Sequence, residues 1–316
     1  MKRVPATFLR AVQAHRNRLE RVLTVRNVAN AKQLYEDAQA SLQARIRRTL
    51  GAGRGDTFTA HQQRIMLTQL RQGQSLIGQR MAGNLNGLTK VAQETSMRGL
   101  VDDVSRLNKF FTGSELTLPV EEAAVFRGLI DRRATSMLVQ QQASMARYGA
   151  HLVDEVQKKL SVAVLTQEPV HEVYDDVAAA IDKEWYWGER IVRTETAYAY
   201  NVTHRDGISE SAKEIPELMQ QWQEHCDDDG SPLDERVGVD SIAMHGQVAP
   251  AGGLFTMPST APHGDAKGKR EVPASLVGLQ WAFPPNRPND RAVLSPWMPD
   301  WGVPGWRWLG GRRVPM

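Results

Sequence analysis

The sequence has almost no cysteine, and its first third has almost no proline. Cys226 is the single cysteine among 316 residues, so an intrachain disulfide is impossible and a cysteine-rich zinc site is excluded. Between Pro5 and Pro119 there is no proline, and a proline-free span of this length predicts long helices. The sequence therefore favours synthesis in a reducing cytoplasm and a helical N-terminal region.

Long apolar runs are also missing, because no stretch of about 18 apolar residues exists that would span a membrane. The charged start at Lys2 and Arg3 is similar to that of a signal peptide. However, Arg10, Arg16 and Arg18 interrupt the segment in which an apolar region would have to lie. We therefore expect a protein that is made and used without secretion and does not enter a membrane.

Common catalytic and nucleotide-binding motifs are absent: the P-loop, a G-x-G-x-x-G after a strand, and G-x-S-x-G. A calcium loop with Gly230 at its sixth position would begin at His225 and end at Arg236, and neither end residue is a calcium ligand. Cys226 and four histidines follow no metal-ligand spacing rule. These are His204, His225, His245 and His263. The sequence therefore predicts no catalytic residue, no metal and no cofactor.

The net charge of +3 is unevenly distributed along the chain. Residues 1–50 contain eleven Lys or Arg and three acidic residues, a local charge of +8, which leaves −5 for the rest. A basic helix of this kind binds DNA phosphates or an acidic protein surface, or is simply a solvated face. The arginines predicted to make such a contact are Arg10, Arg16, Arg18, Arg21, Arg45, Arg47 and Arg48.

Apolar spacing predicts a series of helices before residue 215. The first runs over about 6–50 and ends in the glycine-rich segment 51–57. The second covers about 59–110, with a weak point at 83–87, and a third runs from about 119 to 160. A fourth starts at 166–169 and runs to about 182, and the stretch 189–201 belongs to a last helix that ends between 206 and 213.

Glu195 lies on a mostly apolar stripe of this last helix, with Ile191, Tyr198 and Val202. Carboxylates are seldom buried without a partner, so we expect an arginine or a backbone N–H from another element beside it. Arg193 is two residues away and points in a different direction.

The composition changes after residue 215, where thirteen of the sixteen prolines and six of the eight tryptophans lie. This predicts a loop-rich region with short strands. The candidates are 247–248 leading to 254–257, and 276–282. The predicted fold class is therefore α+β, with long N-terminal helices followed by a smaller Pro/Trp-rich mixed domain with short strands.

An ordered set of residues in the second half of the chain resembles a known family. The set comprises Arg193, Thr194, Glu195, Trp222, Asp234, Arg236, His245, Gly246, Pro284, Pro285, Asn289 and Arg291. In order and spacing, over about residues 160–296, it is similar to the phage head morphogenesis proteins typified by protein F of phage Mu, the MuF-type minor head proteins.

The resemblance implies a structural, non-enzymatic minor capsid protein of a tailed phage. Such a protein is made in the bacterial cytoplasm, associates in few copies with the portal protein inside the head, and acts in head assembly and in DNA packaging or ejection. Packaged double-stranded DNA and the major capsid or scaffold protein are further expected partners. The expected domains are 1–160, a helical portal-binding or partner-binding region; 161–296, the MuF-like domain; and 297–316, a Trp/Arg-rich tail.

The sequence departs from this family at four cysteine positions. Gly238 and Ser241 replace one pair, and Asp290 and Ala292 replace the other. Ion pairs of Asp234 or Asp290 with nearby arginines are a hypothetical substitute. Two alternatives stay open: an enzyme, either ADP-ribosyltransferase-like or a hydrolase, and a free DNA-binding protein. For the enzyme, the chain ends too soon after residue 296 for a separate catalytic domain to be expected.

Overall fold

The computed structural model describes residues 5–23, 25–50, 57–183, 185–227, 231–285, 291–309 and 312–316. It confirms an α+β protein in which long helices precede short antiparallel strands. The helices are α1 (Ala6–Leu23), α2 (Val25–Leu50), α3 (Ala60–Thr112), α4 (Ala123–Thr166), α5 (Val170–Lys183), α6 (Trp185–Ser211) and α7 (Val239–Met244). The strands are β1 (Met219–Gln223), β2 (Val248–Pro250), β3 (Phe255–Thr256), β4 (Gln280–Trp281), β5 (Val293–Trp297), β6 (Trp306–Leu309) and β7 (Arg312–Pro315).

The helices differ from the sequence prediction in two places. The first predicted helix is assigned as two, α1 and α2. The weak point predicted at 83–87 does not interrupt α3, which continues to Thr112. Glycine inside a helix costs about 1 kcal/mol relative to alanine, but Leu85 and Leu88 beside the two glycines are buried. Burial of these leucines offsets the poor helix propensity of the glycines.

The chain forms two compact units, each built from separated segments. Unit 1 comprises Met1–Leu23, Thr89–Ala134 and Thr196–Met316, and unit 2 comprises Thr24–Leu88 and Thr135–Glu195. These boundaries do not coincide with the expected ones at residues 160 and 296. The physical reason is that α3, α4 and α6 are long enough to contribute residues to both units.

Unit 2 is helical and has one hydrophobic core. Its buried residues come from α2 to α6, and they include Tyr35, Leu70 and Val156. The Tyr35 hydroxyl donates to the carbonyl of Ile181 (2.8 Å), which links α2 to α5. This bond satisfies a polar atom in an otherwise apolar interior.

Unit 1 contains the strands. A three-stranded antiparallel sheet has the order β2-β1-β5, and Trp222 of β1 faces Leu294 of β5 in its register. Strands β3 and β4 form a small antiparallel pair, and β6 and β7 form another. The regions of β2, β3 and β4 were predicted from the sequence, whereas β1, β5, β6 and β7 were not.

Two hydrophobic clusters stabilise unit 1. One joins α1, α3 and α4 residues to Trp297 and Trp301 near the C-terminus. The other surrounds Trp222 and Phe255 and includes residues of α7. Within the described ranges, no helix is long and apolar enough to cross a membrane.

Candidate functional site

Glu195 ends the segment of α6 that belongs to unit 2, and its side chain is bound from α4. It is 7% exposed. Its carboxylate accepts hydrogen bonds from Ser144 Oγ (2.8 Å) and Gln140 Nε2 (2.9 Å). Burial raises the pKa of Glu195, and the two hydrogen bonds and the charge of Arg147 oppose this rise. Both partners are neutral groups, so the expected arginine or backbone N–H is not the direct partner.

The other two residues of the Arg-Thr-Glu motif form hydrogen bonds within α6. Arg193 Nε donates to Glu189 Oε1 (2.8 Å), one helical turn earlier. Thr194 Oγ1 donates to the carbonyl of Arg190 (2.7 Å). These contacts are typical of residues that stabilise a helix.

Trp222 lies at the centre of the second cluster of unit 1 and is 0% exposed. Its Nε1 donates to Glu224 Oε1 (2.9 Å), and its ring packs edge-on against Phe255 with centroids 5.3 Å apart. Its backbone N–H donates to Gln247 and its carbonyl accepts from Gly246. Residues that the sequence places far apart thus form one packed core.

His245 and Gly246 form the turn between α7 and β2. Gly246 has φ +74°, a conformation that strongly favours glycine. His245 Nδ1 accepts the backbone N–H of Glu224 (3.2 Å). Burial, together with the charges of Arg16 and Arg313, lowers the pKa of His245 to about 3. The ring is therefore neutral at neutral pH, and it holds the turn beside β1.

Asp234 is bound by two arginines. Arg291 Nη2 donates to both oxygens of Asp234 (2.8 and 2.7 Å), and Arg236 Nη2 adds a bond of 3.0 Å. Burial alone would raise the pKa of Asp234, but hydrogen bonds from Arg291 and Arg236 outweigh it and lower the pKa. The hypothesised pairing of Asp234 with these arginines is therefore present, and it links segments 57 residues apart.

The proline segment follows β4. Pro284 is buried and Pro285 is partly buried, and nearby Phe283 packs against Tyr198 of α6 with ring centroids 5.0 Å apart. Asn289 and Asp290 lie outside the described residues.

Two of the basic residues predicted to contact DNA or the portal are engaged inside unit 1. Arg16 is 7% exposed, and burial lowers its pKa to about 10. Arg18 is paired with the buried Asp103 and also donates to the carbonyl of Gly99. Arg16 and Arg18 are two residues apart and so point in different directions from α1, but each is held by packing or hydrogen bonds inside unit 1. Arg10 and Arg21 of the same helix are exposed.

The three arginines of α2 belong to unit 2. Arg45 donates to Gln69 and Gln72 of α3 (2.8 and 3.1 Å). Arg47 and Arg48 are exposed, and the guanidinium of Arg47 lies 4.4 Å from the ring centroid of Tyr174. Arg47 and Arg48 therefore remain accessible, whereas Arg45 is partly engaged.

A buried polar cluster in unit 1 was not predicted as a group. Tyr200 OH lies 3.1 Å from His15 Nδ1, and the rings of His15 and His204 are 4.3 Å apart. Ser96 Oγ donates to the Tyr200 carbonyl (2.7 Å). Burial lowers the pKa of His204 to about 3 and raises that of Asp103 to about 7. The spacing of Tyr200 and His204, one helical turn apart, was the available signal.

No group of three or more His, Cys, Asp or Glu side chains is arranged to hold a metal ion in the part of the chain that the structure describes. Cys226 is buried in the Trp222 cluster. Glu195 in unit 2, and Trp222 and Asp234 in unit 1, instead have side-chain partners that hold the fold together.

Comparisons of this chain with protein-family models, with curated proteins and with solved structures found no match.

Proposed function

We propose that this protein is a structural minor capsid protein of a tailed phage or prophage, with no enzymatic activity. It associates with the portal protein inside the head and acts in head assembly and in packaging or delivery of the genome. The proposal rests on the MuF-like order of motif residues and on the roles that those residues have in the fold.

The observation that carries the proposal is the packing around Trp222. Trp222, Gly246 and Phe255 meet in one core, and Asp234 binds Arg291 at its edge. Motif residues that pack and pair with one another in this way are those expected of a structural protein. The ion pair of Asp234 with Arg291 has two hydrogen bonds and links two segments of the chain. Cysteines at the family positions, which this chain lacks, would do the same.

The bonding of Glu195 favours the structural role over an enzymatic one. Both of its oxygens accept hydrogen bonds from α4 side chains, and the residue is almost fully buried. A catalytic carboxylate has to reach a substrate. Glu195 as it is held here instead fastens α6 to α4.

Contact with DNA or the portal is proposed for the exposed arginines only. In unit 1 these are Arg10 and Arg21, and in unit 2 they are Arg47 and Arg48. Contacts to phosphates weaken steeply as salt rises. Reversing the charge of Arg10 and Arg21 together should reduce the salt dependence of DNA or portal binding, and an unchanged salt titration would remove these two residues from the interface.

The main test is the protein content of phage particles. We expect mass spectrometry to find this chain in purified heads, and we expect it to co-purify with the portal protein. Asp234→Ala should lower incorporation because it releases Arg291, while Glu214→Ala, at an exposed position, serves as the matched control. Absence of the chain from both mature and immature particles would refute the proposal.

A second measurement separates the enzyme alternative. The purified protein is incubated with NAD, and NAD consumption is followed over time. We expect none above the buffer rate. Turnover that disappears in Glu195→Gln would favour the ADP-ribosyltransferase-like function instead.

A further inference from the structure

Unit 1 has an open cleft of about 500 Å³ between α3 and α4. Phe126 and Ile130 of α4 line it with apolar atoms. Phe126 is partly buried against the α1, α3 and α4 cluster, and Ile130 is buried. The cleft therefore has an apolar floor at the edge of a packed core.

Charged residues at helical spacing form the walls of this cleft. Lys90, Glu94 and Arg98 follow one another at intervals of four on α3, so they share one face over about 12 Å. On α4, Arg127 and Asp131 have the same interval. The signs alternate along each helix.

Glu121, just before α4, is the sixth charged residue of the wall. The wall thus has three cations and three acids. In the described part of the chain, none of the six lies within ion-pair distance of an opposite charge. Glu121 Oε1 accepts the backbone N–H of Leu118 (2.9 Å), but this neutral donor leaves its charge uncompensated. The six charges therefore remain available to a partner.

The balance of charges decides which partner fits. A polyanion such as DNA is attracted by an excess of cations, and this wall has none. A surface with equal numbers of both signs is complementary to itself when a two-fold axis brings each cation opposite an acid.

We propose that the α3–α4 cleft of unit 1 is a self-association surface, occupied by the same face of a second copy of this chain. In the two-fold dimer, the cations of one copy meet the acids of the other, and Phe126 and Ile130 are covered. The proposal is independent of the function proposed above.

The first test is the mass of the protein in solution by analytical ultracentrifugation. Over roughly 1–100 µM, a range suited to weak association, the 35.3 kDa monomer should give way to a species of twice that mass. Raising the salt from about 0.1 to 1 M shortens the Debye length from about 10 to 3 Å, so the dimer should dissociate. A monomer at every concentration would overturn the proposal.

The second test exchanges charges between two variants. The acidic variant combines Lys90→Glu, Arg98→Glu and Arg127→Glu, and the basic variant combines Glu94→Lys and Asp131→Lys. Each variant alone should dimerise about tenfold more weakly or worse, because like charges then meet. An equimolar mixture of the two should recover a heterodimer.

Arg132→Glu is the matched control, because Arg132 is exposed on α4 but does not line the cleft. Circular dichroism would verify that every variant keeps its helix content. Dimerisation that survives in both variants, or a mixture that stays monomeric, would show that this cleft is not the interface.

Discussion

Substitution of Glu195 tests most directly whether the motif glutamate is structural. The change to alanine removes both acceptors, while the change to glutamine keeps the size and one carbonyl oxygen. Ser144 is buried, whereas Gln140 is partly exposed. Water can therefore satisfy the freed amide of Gln140 more easily than the freed hydroxyl of Ser144.

The expected magnitude follows from these two environments. A buried donor left without its acceptor costs about 1–3 kcal/mol, and removing the side-chain methylenes adds a cavity cost. We expect Glu195→Ala to lower the free energy of unfolding of unit 2 by about 2–4 kcal/mol. Glu195→Gln should change it by less than about 1 kcal/mol, because its amide can donate to Ser144 and accept from Gln140.

The pH dependence gives a second, independent signature. Burial raises the pKa of Glu195 above its ordinary 4.5, so the folded state holds this proton more tightly than the unfolded state. The contribution of Glu195 to stability is therefore full below pH 4.5 and declines as the pH rises through the folded pKa. The glutamine variant lacks this decline, so its stability relative to the wild type should improve with pH.

Urea unfolding followed by circular dichroism would measure both effects, and hydrogen exchange of the α4 segment around Ser144 would assign them to unit 2. Exposed Glu172, changed to alanine, provides the control. Glu195 does not have this structural role if Glu195→Ala is as stable as the wild type, or if Glu195→Gln is as destabilising as Glu195→Ala.

Four further predictions concern stability and are checked by urea unfolding. The wild type should lose stability as the pH rises from 3.8, the ordinary pKa of Asp103, to about 7, its pKa in the folded protein, because the folded state favours the protonated carboxyl. Asp103→Asn should abolish this loss. Gly246→Ala should cost about 1–2 kcal/mol, since its φ is +74°; no change would contradict the left-handed turn. Gly83→Ala should stabilise by about 0.5–1 kcal/mol, because an added Cβ meets nothing within 4 Å. Gly73→Ala should destabilise, because its Cβ would lie 2.5 Å from the buried Leu42.

The strands show why part of the fold could not be predicted from the sequence. Strand β1 contains three glutamines, Gln220, Gln221 and Gln223, and all three are buried. Their amides find partners such as the carbonyls of Gly253 and Pro304. No alternation of apolar and polar residues marks such a strand, so only its neighbours identify it.

The arginines of α1 show the same limit for the candidate site. The local charge of residues 1–50 indicated a basic helix, and Arg10 and Arg21 are indeed exposed. Arg18 instead pairs with Asp103, which is 85 residues away. Charge counting does not reveal which face of a helix is packed.

The sequence by itself determined the local properties of this protein. Long helices followed from a proline-free span with apolar periodicity, and a mixed C-terminal region followed from its prolines and tryptophans, because helix hydrogen bonds and turn geometry depend on neighbouring residues. Only the tertiary structure decided that Ser144 and Gln140 bind Glu195 and that Arg291 binds Asp234. It also decided that the chain divides into two units, each built from separated segments. These contacts join residues more than 50 positions apart, and they depend on which helix faces pack together.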